Sequence, residues 1–239
     1  MLWLLTLVTT GVLLLIAGFV KEISKAPTVA RPAALTKTAH AARHATASPA
    51  SLRGSPAASA RVPKVTDASS GLSYQLLSSP WRRSCPGILD NPMFSWTAGE
   101  HAVAGQANIG GTVINWHGNA CSARLGPQFA YSGPNDLELA AIGVADGVGL
   151  AYYSGLRHDG TIESSSPMLV SGHQAWLVTF LVTYPDAASE GLAWTSEAGA
   201  VVLVDRGPRQ APAVFYVSVP DNLGTSDVAT LVSSLQLNS

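Results

Sequence analysis

Hydrophobic and polar positions divide the chain into three stretches. The first, Leu2–Val20, reads LWLLTLVTTGVLLLIAGFV, carries no charge and shows no polar positions at helical period. Its nineteen residues, rising about 1.5 Å each, come close to the ~30 Å hydrocarbon core of a bilayer. The pattern predicts one transmembrane helix, with residues 1–23 as an anchor in the lipid bilayer. A cleaved signal peptide has a shorter apolar run and a small-x-small site. The nearest such site, Ser24-Lys25-Ala26, is followed by Pro27. In the second stretch, residues 24–70, Ala, Pro, Ser and Thr dominate, no aromatic residue occurs and no period of 2 or 3.6 appears. Such a segment cannot bury enough surface to offset its ordering entropy, so a disordered linker is expected.

The third stretch, residues 71–239, alternates and repeats like a folded domain. PNDLELAAIGVADGVGLAYY predicts a helix: Leu137, Ala141, Val144, Val148 and Tyr152 form one apolar stripe. Asn135 is the expected N-cap, with Glu138 three residues on as a capping box. QAWLVTFLVTYP alternates, placing Trp176, Val178, Phe180, Val182 and Tyr184 on one face of a strand. AVVLVD and PAVFYVSVP follow as strands across the turn RGPRQAP. TSDVATLVSSLQL closes the chain as a helix buried through Val228, Leu231, Val232 and Leu235. Earlier, LSYQLL, MFSWTA and TVINWH are shorter strand candidates between Gly-rich turns. Hairpin-length connections imply an antiparallel sheet, and two amphipathic helices must cover it. The fold class is therefore α+β.

The order of elements resembles the PsbP-like fold, named for an extrinsic photosystem protein and similar to small mycobacterial envelope lipoproteins. The resemblance covers roughly Leu137–Leu237: a helix ending near Tyr152 and Tyr153, then VSGHQAWLVTF, two more strands, and a helix ending SSLQL. It implies a non-enzymatic envelope module that binds or scaffolds. The lipoprotein pattern is broken at IAGF, where Phe19 stands in place of the lipid-bearing Cys; a membrane span replaces the lipid.

Charge adds an asymmetry. Up to Ser70, eight Lys or Arg oppose two acids, net +6; from Gly71, six Arg oppose thirteen acids, net −7. The acidic folded part lacks the basic footprint of a nucleic-acid binder, so no nucleic-acid partner is expected. Arg outnumbers Lys 10 to 4, the bias of a GC-rich bacterial genome. The positive-inside rule, applied to Lys21 and Lys25, would place the domain in the cytoplasm; the cysteines point the other way. A basic flank before Leu2 is absent from this sequence, and a start codon further upstream would supply one. The expectation is a single-pass cell-membrane protein with an extracytoplasmic domain.

Candidate chemistry is sparse. NWHGNACS sets His117 four residues before Cys121. A Cys–His nucleophile needs hydrogen-bond reach and an orienting group, yet Gly118 and Asn119 suggest a turn there. Zinc needs three or four ligands, and neither CxxC nor HExxH occurs. The two cysteines, Cys85 and Cys121, are expected to form a disulfide. Glu100 and His101 read as a solvated turn. Glu197, Asp205 and Arg206 read as strand-end turns, although a carboxylate pair could serve glycoside hydrolysis. Ser196 lies in no GxSxG elbow, His173 at a strand start is a surface residue, and His40 and His44 fall in the linker. Trp81, Trp96, Trp116, Trp176 and Trp194 are expected mostly in the core, with one or two free to line a groove for sugar or peptide. No catalytic residue, cofactor site or metal site is assigned. The expected function is a binding or accessory module for an envelope protein, lipid or glycan; the alternative is an envelope hydrolase acting on cell-wall glycan or peptide.

Overall fold

The structure, a computed structural model, describes residues 62–85 and 93–238. The expected span, Leu2–Val20, and the linker up to residue 61 lie outside the described residues. Among the described residues no helix is long and apolar enough to cross a membrane.

Seven strands form one antiparallel sheet in the order β3-β4-β5-β9-β8-β7-β6. They are β3 (Arg82–Arg83), β4 (Ala98–Ile109), β5 (Thr112–Arg124), β6 (Asp159–Val170), β7 (His173–Thr183), β8 (Ser196–Val204) and β9 (Ala213–Pro220). A second sheet, β1-β2-β10, joins β1 (Lys64–Thr66), β2 (Leu72–Gln75) and β10 (Gln236–Leu237). Helix α1 (Leu137–Val148) packs on β6, β7 and β8, and α2 (Ser226–Ser233) on β8, β9 and β2. The α+β class with an antiparallel sheet and two helices is what the sequence predicts.

The large sheet has a core on each face. On the α1 side Val178, Phe180, Val182 and Tyr184 of β7 and its end meet Val201, Leu203 and Tyr216. On the α2 side Leu72, Tyr74, Val202, Phe215, Val217 and Leu231 meet. All eight residues of β9 are buried, because it runs through the middle with both faces covered.

Several expectations shift. The folded part starts before Gly71: Val65, Asp67 and Ser70 are buried, and Asp67 ties its loop to Thr97 and Ser122. A short polar-looking segment folds here because β2 pairs with it and Thr97 and Ser122 hold Asp67. Asn135 does not cap α1. Pro134 opens a 3-10 turn, Pro134–Asp136, so the chain is already coiled there. Asp136 instead accepts bonds from the Ser132 amide and hydroxyl. At the far end α1 runs into a π-turn, Gly149–Tyr153. MFSWTA is not a strand until Ala98, though Phe94 and Trp96 are buried. The last helix ends at Ser233, and Gln236–Leu237 pairs with β2.

NWHGNACS is not a turn but the middle of β5. Gly118 serves close approach: a Cβ there would lie 2.9 Å from Leu223 Cδ1. The reversal comes earlier, at Gly110–Gly111, both at positive φ (59° and 87°), the geometry of a tight two-residue hairpin. A bulge between Val103 and Gly105 shifts the β4–β5 register, which raises the local twist. Beyond it the ribbon brings Ala107 and Trp116 into the α1-side core.

Cys85 and Cys121 are disulfide-bonded, with Sγ atoms 2.06 Å apart. Both are buried. Gly99, opposite Cys121 on β4, makes room: a Cβ there would stand 1.8 Å from Cys85 Sγ and 2.5 Å from the Ala120 carbonyl oxygen. Replacing both cysteines by Ala is expected to cost about 4 kcal/mol in urea unfolding, the chain-entropy value for this spacing. Gly99→Ala is expected to destabilise comparably or block the bond. Unchanged unfolding midpoints in both variants would contradict this account.

Candidate functional site

Two loops that follow buried strands form the larger concavity. After β5, Leu125–Pro134 carries Phe129 and Tyr131; after β8, Asp205–Pro212 runs alongside. Between them lies a groove of about 540 Å³. Tyr131 donates its hydroxyl proton to Asp205 Oδ1 at 2.7 Å, which joins the two walls. Burial, followed by the bonded carboxylate, pushes the Tyr131 pKa well above that of a free phenol, so it stays a neutral donor. Arg209, at a strained φ of 63°, stands exposed on the wall opposite Phe129. A smaller cavity shares Leu125 and Phe129 and reaches Phe94 and Trp96, whose rings stack at 5.1 Å.

Three buried carboxylates lie away from this groove. Glu197 was expected at a strand-end turn; it is 1% exposed and inside β8, paired with Val182 and Pro220. Trp116 Nε1 and the Tyr184 hydroxyl both donate to its Oε1, and Ser218 Oγ donates to its Oε2. The Tyr153 hydroxyl lies 2.7 Å from Ser218 Oγ and 3.0 Å from the Tyr216 hydroxyl. Burial raises the Glu197 pKa, outweighing the three donors that favour its charged form. Glu197 and Asp205 therefore do not form a catalytic pair: one is sealed in the core and the other holds Tyr131.

Glu100 was expected to be solvated; it is fully buried on β4. Its Oε2 accepts the Leu77 amide at 3.0 Å, and its Oε1 has no protein partner. Burial raises its pKa to about 7. The adjacent His101 points elsewhere, as neighbours on a strand must: its Nδ1 lies 3.0 Å from the Ser84 carbonyl. Asp67 behaves oppositely. Burial works against its charge, yet bonds from Ser70, Thr97, Ser122 and the Ser69 amide hold its pKa below the usual carboxylate range.

Of the candidates read from sequence, Cys85 and Cys121 come together as expected, while Trp116 meets Glu197 and His117 meets His101, pairs that the sequence did not suggest. His117 stands edge-on to His101 at 5.3 Å; burial, then His101, depress its pKa. With Cys121 consumed by the disulfide, the Cys–His nucleophile is ruled out in this oxidised chain. Ser196 bonds Asp221, and His173 is exposed at the β6–β7 turn. Trp81, Trp96, Trp116 and Trp194 are buried, and Trp176 is partly so. Among the described residues no group of three or more His, Cys, Asp or Glu is placed to hold a metal. No local motif marks Phe129, Tyr131 or Ser218 in the sequence, and Tyr153 and Tyr184 read there only as positions in a helix and a strand.

No protein-family model and no curated protein matches the chain. Among solved structures it is similar to the solution structure of cyanobacterial PsbP (CyanoP) from Synechocystis sp. PCC 6803, at 12% identity and a TM-score of 0.42. The match covers 77% of this chain and 98% of that one. A likeness of that degree says nothing of ligand, partner or activity.

The Glu100 carboxyl gives a testable sign. Its folded pKa lies above its unfolded value, so its stabilising share is complete below about pH 4.5 and is lost as pH rises to about 7. Glu100→Gln keeps an acceptor for the Leu77 amide and cannot ionise. It is expected to match the wild type near pH 4 and exceed it by on the order of 2 kcal/mol near pH 8. Urea unfolding across that range checks this; a difference independent of pH would refute it.

Proposed function

We propose that the chain is a single-pass protein of a bacterial cell envelope, held to the bilayer by Leu2–Val20, whose extracytoplasmic domain is a non-catalytic binding or accessory module. The observation that carries the binding role is the groove between Leu125–Pro134 and Asp205–Pro212. Its one aromatic wall, with Phe129 and Tyr131, and its few fixed polar groups are the make-up of a recognition cleft. The buried disulfide supports an oxidising compartment, since such bonds persist outside the cytoplasm.

A second reading, an envelope hydrolase, draws on Asp205 in the groove wall. It lacks the second acid that the sequence offered, because Glu197 is enclosed elsewhere. Soluble cell-wall glycopeptide fragments added to the full chain in detergent separate the readings. Calorimetry is expected to give saturable binding, weakened at least tenfold by Phe129→Ala with Tyr131→Ala, and chromatography to return the fragments uncut. Cleavage that Asp205→Asn abolishes would establish the hydrolase. Failure to bind glycopeptide, proline-rich peptide or lipid vesicles would remove the binding role.

A further inference from the structure

We propose that Glu197 is carried in the folded domain as a neutral acid whose proton runs onto the hydroxyl chain Ser218–Tyr153–Tyr216, forming a proton-operated latch that holds the β4–β5 ribbon. The inference starts from who surrounds the carboxyl. Trp116 comes from β5, Tyr184 from the end of β7, and Ser218 and Tyr216 from β9; Tyr153 comes from the π-turn after α1. The titratable groups facing the site are Tyr184, Tyr153, Tyr216 and Asp221, the last on the turn after β9. His158 packs on the Tyr153 ring at 5.9 Å, one residue removed from the carboxyl. None of these supplies a lasting positive charge to Glu197, and Asp221 opposes its ionisation.

An enclosed carboxylate with no cation beside it is the costly form; the acid is the cheap one. The neutral acid also fits the bonds. Trp116 can only donate, and with Tyr184 it satisfies the carbonyl oxygen Oε1. Ser218, Tyr153 and Tyr216 carry rotatable hydroxyls. The protonated Oε2 donates to Ser218, Ser218 to Tyr153, and Tyr153 to Tyr216; no heavy atom moves. In the charged state the same chain runs the other way. The polar chain therefore accepts either state, whereas the apolar wall around it does not.

The latch follows from topology. Beyond the bulge at Val103–Gly105 the ribbon pairs only with itself, since β5 meets β9 only over Asn119–Arg124. What fastens this part to the body includes Trp116, stacked on Trp194 at 5.6 Å and donating to Glu197. Once the acid loses its proton, water reaches the charge only if one of its donors moves, and Trp116 is the donor that the ribbon supplies. Raising the pH therefore loosens the ribbon before the sheet unfolds.

The test uses the full chain in detergent with Glu100→Gln, which removes the other titrating buried acid. Infrared spectra recorded above the ordinary glutamate value of 4.5 are expected to show a neutral carboxylic acid that disappears when Glu197→Gln is added. As pH rises through the loss of that acid band, acrylamide quenching of tryptophan is expected to rise at least twofold in the Glu100→Gln chain and stay flat in the double variant. Amide-exchange protection at Val103–Trp116 should fall over the same range. Tyr153→Phe, which cuts the hydroxyl chain but keeps the acid, should shift the midpoint of both changes. Should Glu197→Gln fail to fold, the infrared titration and Tyr153→Phe still decide. Absence of the acid band, a band that survives Glu197→Gln, or a midpoint unmoved by Tyr153→Phe would overturn the proposal.

Discussion

Burial of the large sheet on both faces is the constraint from which the rest follows. With α1 on one side and α2 with the small sheet on the other, β8 and β9 have no wet face. A polar side chain there needs partners from the protein itself, because an unpaired buried group costs about as much as a lost hydrogen bond. The interior polar residues group accordingly. Asp67 gathers Ser70, Thr97 and Ser122; Glu197 gathers Trp116, Tyr184 and Ser218. The groove forms where β5 and β8 leave the sheet.

Period-driven features were legible in the sequence. The stripe on α1 and the alternation along β7 come from side-chain spacing alone, and both match the buried positions apart from Tyr152 and Trp176, which are half-buried. The disulfide was legible for a different reason: two cysteines leave one pairing. Features set by distant partners were not legible. Gly118 and Asn119 have the composition of a turn, yet their neighbours on β9 and Leu223 draw them into a strand. Lys64–Thr66 looks like linker until β2 supplies its hydrogen bonds.

The acids show the same limit more sharply. Glu197 stands two residues before Gly199 at the start of an apolar run, a place where strands commonly begin at the surface. What encloses it is contributed from up to 81 residues away, and no local pattern reports that distance. Tyr131 and Asp205, 74 apart, meet for a similar reason: they follow β5 and β8, the two strands that flank β9.

One side-chain type thus takes two opposite roles within a single core, and donors against dehydration decide which. Asp67 has four donors and stays charged, so its contribution is present at neutral pH and is lost as pH falls below the ordinary carboxylate value of 3.8. Glu100 has one donor, and Glu197 has three but is more deeply enclosed; both favour the proton, and their contributions are lost as pH rises from about 4.5. The two trends press from opposite sides. Asp67 favours the fold above the carboxylate range, and the two glutamates favour it below the pH at which they ionise.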